Sequence, residues 1–190
     1  MQLSNHLEVM NHEICDYDTE FEHEGYRVDG DNGIKIFVGL PNRKSVDYYW
    51  IKDGCCHFIE FSDLARGQED LIGINEVVNQ CENSLHRNKL SKLLRQDEWR
   101  CLAEKFKDSK DIFEKIPEFY TAVPAPFLDY SAKIFYIVHA PINDQLEESE
   151  KVEIARFLIT LKALVSKQLE EKVGIRVNLI YIDKFEQELI

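Results

Sequence analysis

Two carboxylates, Asp47 and Glu60, flank a two-residue turn signal in the segment VDYYWIKDGCCHFIEFSDL. Asp53-Gly54 between two runs of aromatic and β-branched residues is the pattern of a tight β-hairpin. With those two residues as the loop, Lys52 pairs with Cys55, paired positions sum to 107, and Asp47 lies opposite Glu60. Directly opposed side chains on one sheet face have Cβ atoms about 5 Å apart. Two like charges at that separation repel unless a cation, a proton or a basic partner sits between them. The chemistry such a pair offers is the grip of a divalent metal ion.

The elements that must position this pair follow from periodicity. Leu3, Leu7, Met10 and Ile14 share a helical face, and Asn5 with Glu8 has the spacing of a capping box, so a short opening helix is expected. Tyr26 and Val28 alternate, Asp29 to Gly33 is a turn, and Ile34, Ile36 and Val38 alternate again, which predicts another hairpin. Both faces of the Asp47–Glu60 hairpin are apolar or aromatic, with Tyr48, Trp50, Ile59 and Phe61 on one and Tyr49, Ile51 and Phe58 on the other. A strand pair of that kind belongs in mid-sheet, covered on both sides. Residues 69–107 are helical in period, and KIPEFYTAVPAPFLDYS, with three prolines, reads as loop. KIFYIVH is a short buried strand. A long amphipathic helix follows, capped by Asp144 with Glu147 and closed by Gly174, and RVNLIYID is a last strand. The expected architecture is one α/β layered domain over residues 1–190. Its central sheet is mixed, built of β-hairpins plus one helix-bridged strand pair, and flanked by helices.

Hydrophobic content of 44% and charged content of 31% are ordinary for a soluble globular chain. No apolar run reaches the roughly 18 residues of a membrane helix, and the N-terminus lacks the basic start and apolar stretch of a signal peptide. Five cysteines, with no C-x-x-C pair, read as reduced thiols in a cytoplasmic protein. The net charge is −12, and residues 1–31 alone carry nine acids against one arginine. Binding to a nucleic-acid duplex needs a basic footprint. Nothing here forms a long basic run, so nucleic acid is not the expected partner; HRNKLSKLLRQDEWR is the most basic stretch and reads as a solvated helix face.

The element order, with an aspartate opening one strand and I-E-x-x-D-L in the next, resembles the PD-(D/E)xK nuclease superfamily, also called the restriction-endonuclease-like fold. At motif level the resemblance rests on Pro41, Asp47 and Glu60. It implies a PD-(D/E)xK nuclease-like fold over roughly residues 1–183, with Asp47 and Glu60 as ligands of Mg²⁺. It also implies a lysine two residues after the glutamate, on the same strand face, to polarise water and phosphate. Ser62 stands at that position. A hydroxyl has neither the charge nor the reach of an ammonium group, so Lys133, Lys89 and Lys92 become the candidates for a relocated lysine. Lys52 is excluded by parity, because it faces away from Asp47.

The remaining constellations are weak. Six histidines show no H-E-x-x-H, and Cys56 and His57, as strand neighbours, point to opposite faces. Asp63, Glu69 and Asp70, with the neutral Gln68 beside them, add acid at the mouth of the pocket. Two functional readings follow. In the first the chain is a non-catalytic, acidic cytoplasmic protein that neutralises a basic partner. This resembles bacterial immunity proteins that inhibit nuclease toxins, with no metal and no cofactor. Its contact residues would be Asp16, Tyr17, Asp18, Glu20, Phe21, Glu22, Glu24 and Tyr26, the aromatics serving as anchors. The alternative is a Mg²⁺-dependent PD-(D/E)xK nuclease, or a nuclease-like subunit, acting on DNA or RNA through Asp47, Glu60 and a relocated lysine.

Overall fold

The computed structural model describes residues 1–14, 17, 21–80, 83–129 and 134–189. Its centre is a six-stranded mixed sheet whose spatial order is the chain order: β1 (Leu7–Val9), β2 (Glu24–Arg27), β3 (Tyr48–Lys52), β4 (Cys55–Phe61), β5 (Ile134–His139) and β6 (Arg176–Tyr181). β1 to β4 run antiparallel in succession, while β4–β5 and β5–β6 are parallel. The helices are α1 (Ile34–Phe37), α2 (Leu64–Asn79), α3 (Ser84–Phe119), α4 (Glu148–Val173) and α5 (Ile182–Leu189). The chain is thus α/β with one mixed sheet flanked by helices, and it has two helix-bridged parallel pairs where the sequence pattern indicated one.

The β3–β4 hairpin forms in the expected register, with Tyr48 opposite Ile59, Trp50 opposite His57 and Lys52 opposite Cys55. Asp53 and Gly54 have φ of 52° and 72°, the left-handed pair that a two-residue loop of this twist demands. Both faces are covered. Tyr49, Cys56 and Phe58 join a core with Leu102, Phe106 and Phe113 of α3 and Ile154, Leu158 and Leu161 of α4. Tyr48, Trp50 and Ile59 pack on the other side with Met10, Phe21 and Phe185.

Three local expectations change. The opening segment is a single 3-10 turn over Leu3–His6 followed by β1, since pairing with β2 supplies the backbone bonds that a lone short helix would lack. Ile34 to Val38 is not a strand. It forms the four-residue α1, with Ile34 and Val38 buried four apart and Ile36 37% exposed. Gly33 permits this, because a Cβ there would lie 2.2 Å from the Val28 carbonyl oxygen. Finally, α3 continues through Pro117 to Phe119. Burial of Ile112, Phe113 and Ile116 outweighs the one helix bond that a proline forgoes in the last turn. α4 begins three residues later than the Asp144 cap: Glu147 and Glu150 form the capping box, and Gly174 closes the helix at φ 70° as expected.

Candidate functional site

Asp47 immediately precedes β3 and is tied down on three sides. Its backbone N–H donates to Ile59 O at 3.0 Å, its carbonyl accepts from Val28 N–H at 2.8 Å, and its Oδ2 accepts from Phe61 N–H at 2.7 Å. Glu60 sits on β4 beside it and is only 2% exposed. Glu60 faces α3 and Lys105. Asp47 lies just past the last paired position, Tyr48 opposite Ile59, so the ladder ends where Asp47 was expected to face Glu60, and its cleft also holds Tyr48 and Phe61.

The pocket holds an ammonium group. Lys105, from α3, places Nζ 2.5 Å from Glu60 Oε1. The second oxygen of that carboxylate, Oε2, is buried and has no hydrogen-bond partner among the described residues. Burial first, and then the neighbouring charge of Asp47, push the Glu60 carboxyl up to about 8 against the opposing pull of Lys105. Burial likewise raises Asp47 to about 6, against the Phe61 amide and Lys105. Lys105 itself is held above the usual lysine value; burial lowers it, but Glu60 and Asp47 outweigh that. Once Glu60 gives up its proton the cluster carries one more negative charge than the ammonium neutralises, so cation uptake and loss of that proton are coupled.

Two cavities open on it. A cleft of 350 Å³ exposes Asp47 together with Asn11, His12, Glu13, Arg27, Asp29, Tyr48, Phe61 and Asp63. A second, of 270 Å³, is lined by Glu60, Ser62, Asp63, Glu98, Cys101 and Lys105. Asp63 lines both. Ser62 donates its backbone N–H to Val138 O at 2.8 Å, which keeps it in line with β5 and leaves its hydroxyl no role that replaces an ammonium. Glu98 also has a buried Oε2 with no partner among the described residues, and burial raises its carboxyl.

None of the expected substitutes for the missing lysine supplies the ammonium contact seen at Glu60, which is made by Lys105. Lys133 lies outside the described residues. Lys89 and Lys92 belong to α3 but precede Lys105 by 16 and 13 residues, about 24 and 20 Å along the axis at 1.5 Å per residue. Lys52 stacks over the Trp50 ring at 5.3 Å, on the opposite face as parity requires. The ammonium at the pocket comes from Lys105, which was not among the candidates. Its signal in the sequence was faint: Lys105 borders the buried stripe Leu102, Phe106, Ser109 and Phe113, where a long side chain can turn inward.

Carboxylate oxygens are hard donors suited to Mg²⁺ or Mn²⁺, and Mg²⁺ commonly takes only one or two protein carboxylates with water and substrate phosphate completing its shell. Asp47 and the unpartnered Oε2 of Glu60 fit that requirement. Among the described residues no group of three or more His, Cys, Asp or Glu converges on one point, so the protein's share of such a shell is small.

The candidate partner-contact residues are not gathered into one exposed surface. Asp16, Asp18 and Glu20 lie outside the described residues. Phe21 is a correction: it is 3% exposed and stacks on Phe61 at 5.5 Å, so it builds the core and cannot anchor a partner without being pulled out. Tyr26 is half-buried edge-on to Phe127, and the Tyr17 hydroxyl donates to Asp183. Glu22 and Glu24 are exposed. His6 is a core histidine, with Nδ1 at 2.9 Å from Asn32 O and Nε2 at 2.8 Å from Tyr120 Oη. Cys56 belongs to one core and His57 packs on Trp50 in the other, so no thiol–imidazole pair exists there. Among the described residues no helix is long and apolar enough to cross a membrane. No family model, curated protein or solved structure matches the chain.

Proposed function

We propose that this chain is a divalent-metal-dependent nuclease of PD-(D/E)xK type in which Lys105, from the helix over the sheet, takes the part of the lysine that Ser62 vacates. The observation that carries this reading is the contact of Lys105 Nζ with Glu60 Oε1, beside Asp47. Asp47 and Glu60 would hold the ion, which when bound lowers the pKa of a water and polarises the phosphoryl oxygen. The Lys105 ammonium offers three donors and a positive charge, both of which favour the charge that builds on phosphate during attack. Burial strengthens each of these interactions, because the surroundings screen them poorly. Asp47→Asn, Glu60→Gln and Lys105→Met should each lower Mn²⁺-dependent nicking of DNA or RNA by about 10²-fold or more. Purified protein inert on single- and double-stranded DNA and RNA, with both Mg²⁺ and Mn²⁺, would refute the assignment.

A second reading is favoured by one further observation. Among the described residues Glu13, Asp29, Asp47 and Asp63 line the 350 Å³ cleft with one lysine or arginine, Arg27, which is paired to Glu8 at 3.1 Å, while Asp29 is paired to Lys35. A cleft of that charge accepts a lysine or arginine side chain, and Phe61 and Tyr48 supply aromatic walls for it. On this reading the chain is an acidic inhibitor of a basic protein such as a nuclease toxin, and the same cleft is its receptor. An arginine-rich peptide should then bind with strong salt dependence and lose affinity with Asp63→Asn. Charge reversal at Asp18, Glu20 and Glu22 together tests the acidic N-terminal segment in the same assay. Affinity unchanged by salt and by these substitutions would remove this reading.

A further inference from the structure

β6 is the outer strand of the sheet, with β5 as its sole partner in the sheet order. Six residues at about 3.3 Å each present an edge about 20 Å long. Along that edge runs a groove of 440 Å³ between α4 and α5. Asn178, Leu179, Ile180 and Tyr181 form its floor, and Ile159, Lys162 and Lys184 its walls. Ile159 is 70% exposed, an unusual apolar protrusion beside an open strand. Among the described residues no carboxylate lines the groove, in a chain of net charge −12. Lys162 and Lys184 are exposed and form no ion pair among the described residues; the Lys184 ammonium stands over the Tyr181 ring at 6.0 Å.

We propose that this groove docks an extended acidic segment of a partner protein, which adds to β6 as a seventh strand. Strand addition uses the main chain of an open edge for affinity and the flanking side chains for selection. Lysines at an edge ordinarily deter neutral strands. Against an acidic strand the same two charges, one on each side of the sheet plane, become the selecting contacts. A second copy of this chain fits poorly: antiparallel self-pairing of β6 would bring Arg176 of each copy toward Lys184 of the other, setting like charges together. The inference is independent of the Asp47–Glu60 site.

The test uses the full chain and a fluorescein-labelled hexapeptide of alternating Glu and Val, with the Lys-Val counterpart as control. Anisotropy should rise for the acidic peptide at low salt and not for the basic one. The double variant K162E/K184E, changed only at exposed positions, should weaken binding by about tenfold or more. Amide hydrogen exchange at 178–181 should slow when the acidic peptide is present. Absence of binding at up to ~1 mM peptide, equal binding of the basic peptide, or protection confined to other strands would each overturn the proposal. So would a dimer of the unmodified chain that protects amides 178–181, since that would give the edge to a second copy.

Discussion

Ser109 Oγ accepts the backbone N–H of Val46 at 2.8 Å, and this one bond sets the height of α3 over the start of β3. The Ser109 carbonyl also accepts from the Tyr49 hydroxyl at 2.5 Å, so the same turn of helix is fastened to the strand twice. Lys105 lies one helical turn before that fastening, and Asp47 one residue after it. Ser109→Ala leaves the buried Val46 N–H without an acceptor. We expect a loss of about 1–2 kcal/mol, read as a lower urea midpoint at unchanged slope. Unchanged stability would show that the helix is held by its apolar face alone.

Stability should fall as pH rises from mildly acidic to alkaline. Glu60 and Asp47 titrate near 8 and 6 in the folded chain, whereas free carboxyls titrate at roughly 4. A carboxyl raised on folding binds more protons in the native state, so its contribution is complete below the unfolded value and is lost as pH climbs to the folded value. Between pH 5 and 8.5 the wild type should therefore lose several degrees of melting temperature, and Glu60→Gln should lose clearly less. Equal slopes for the two proteins would place the titration elsewhere.

Lys105→Met strips the counter-charge from a carboxylate that is 2% exposed. Removing one member of a buried pair costs about 3 kcal/mol or more when the other stays charged. At pH 5 Glu60 can take up a proton, so the penalty should be small there and large at pH 8.5. Chemical denaturation at the two pH values measures the difference, and a penalty independent of pH would argue that Glu60 never ionises.

Two glycines should separate sharply on substitution. At Gly33 an added Cβ would meet the Val28 and Asp29 carbonyl oxygens at 2.2 and 2.4 Å, both backbone atoms that cannot swing aside. At Gly39, φ is +77° with open space around it. We expect about 2–4 kcal/mol for Gly33→Ala and about 1 kcal/mol for Gly39→Ala. A mild effect at Gly33 would mean that the turn into α1 can rearrange.

The hairpin and both of its faces were legible because Asp53-Gly54 fixes the loop and parity fixes everything beyond it. The later strands, the long α4 and its Gly174 stop were legible for the same reason: period and cap agreed. Of the first forty residues only β2 and the turn after it were legible. Leu3, Leu7, Met10 and Ile14 satisfy a helical period although β1 is extended, and pairing with β2 decided between them. Ile34, Ile36 and Val38 satisfy an alternating period although α1 is helical. Lys105 was hidden because proximity to Glu60 spans 45 residues of chain, and nothing local in KFKDSK distinguishes a solvated lysine from one that bends inward.

The length of the exposed Asp53-Gly54 loop has a reach far beyond the turn itself. Side chains alternate across a sheet, so a slip of one residue in β4 would carry Glu60 from beneath α3 to the layer of Trp50 and Phe185. Lys105 would then face the apolar side chain of Phe61 or Ile59. A single insertion or deletion at a solvent-facing bend could thus silence the cluster while leaving every one of its residues in the gene. Among distant kin of such a protein, intact residues would be no guarantee of an intact site, and the spacing between them would be the better witness.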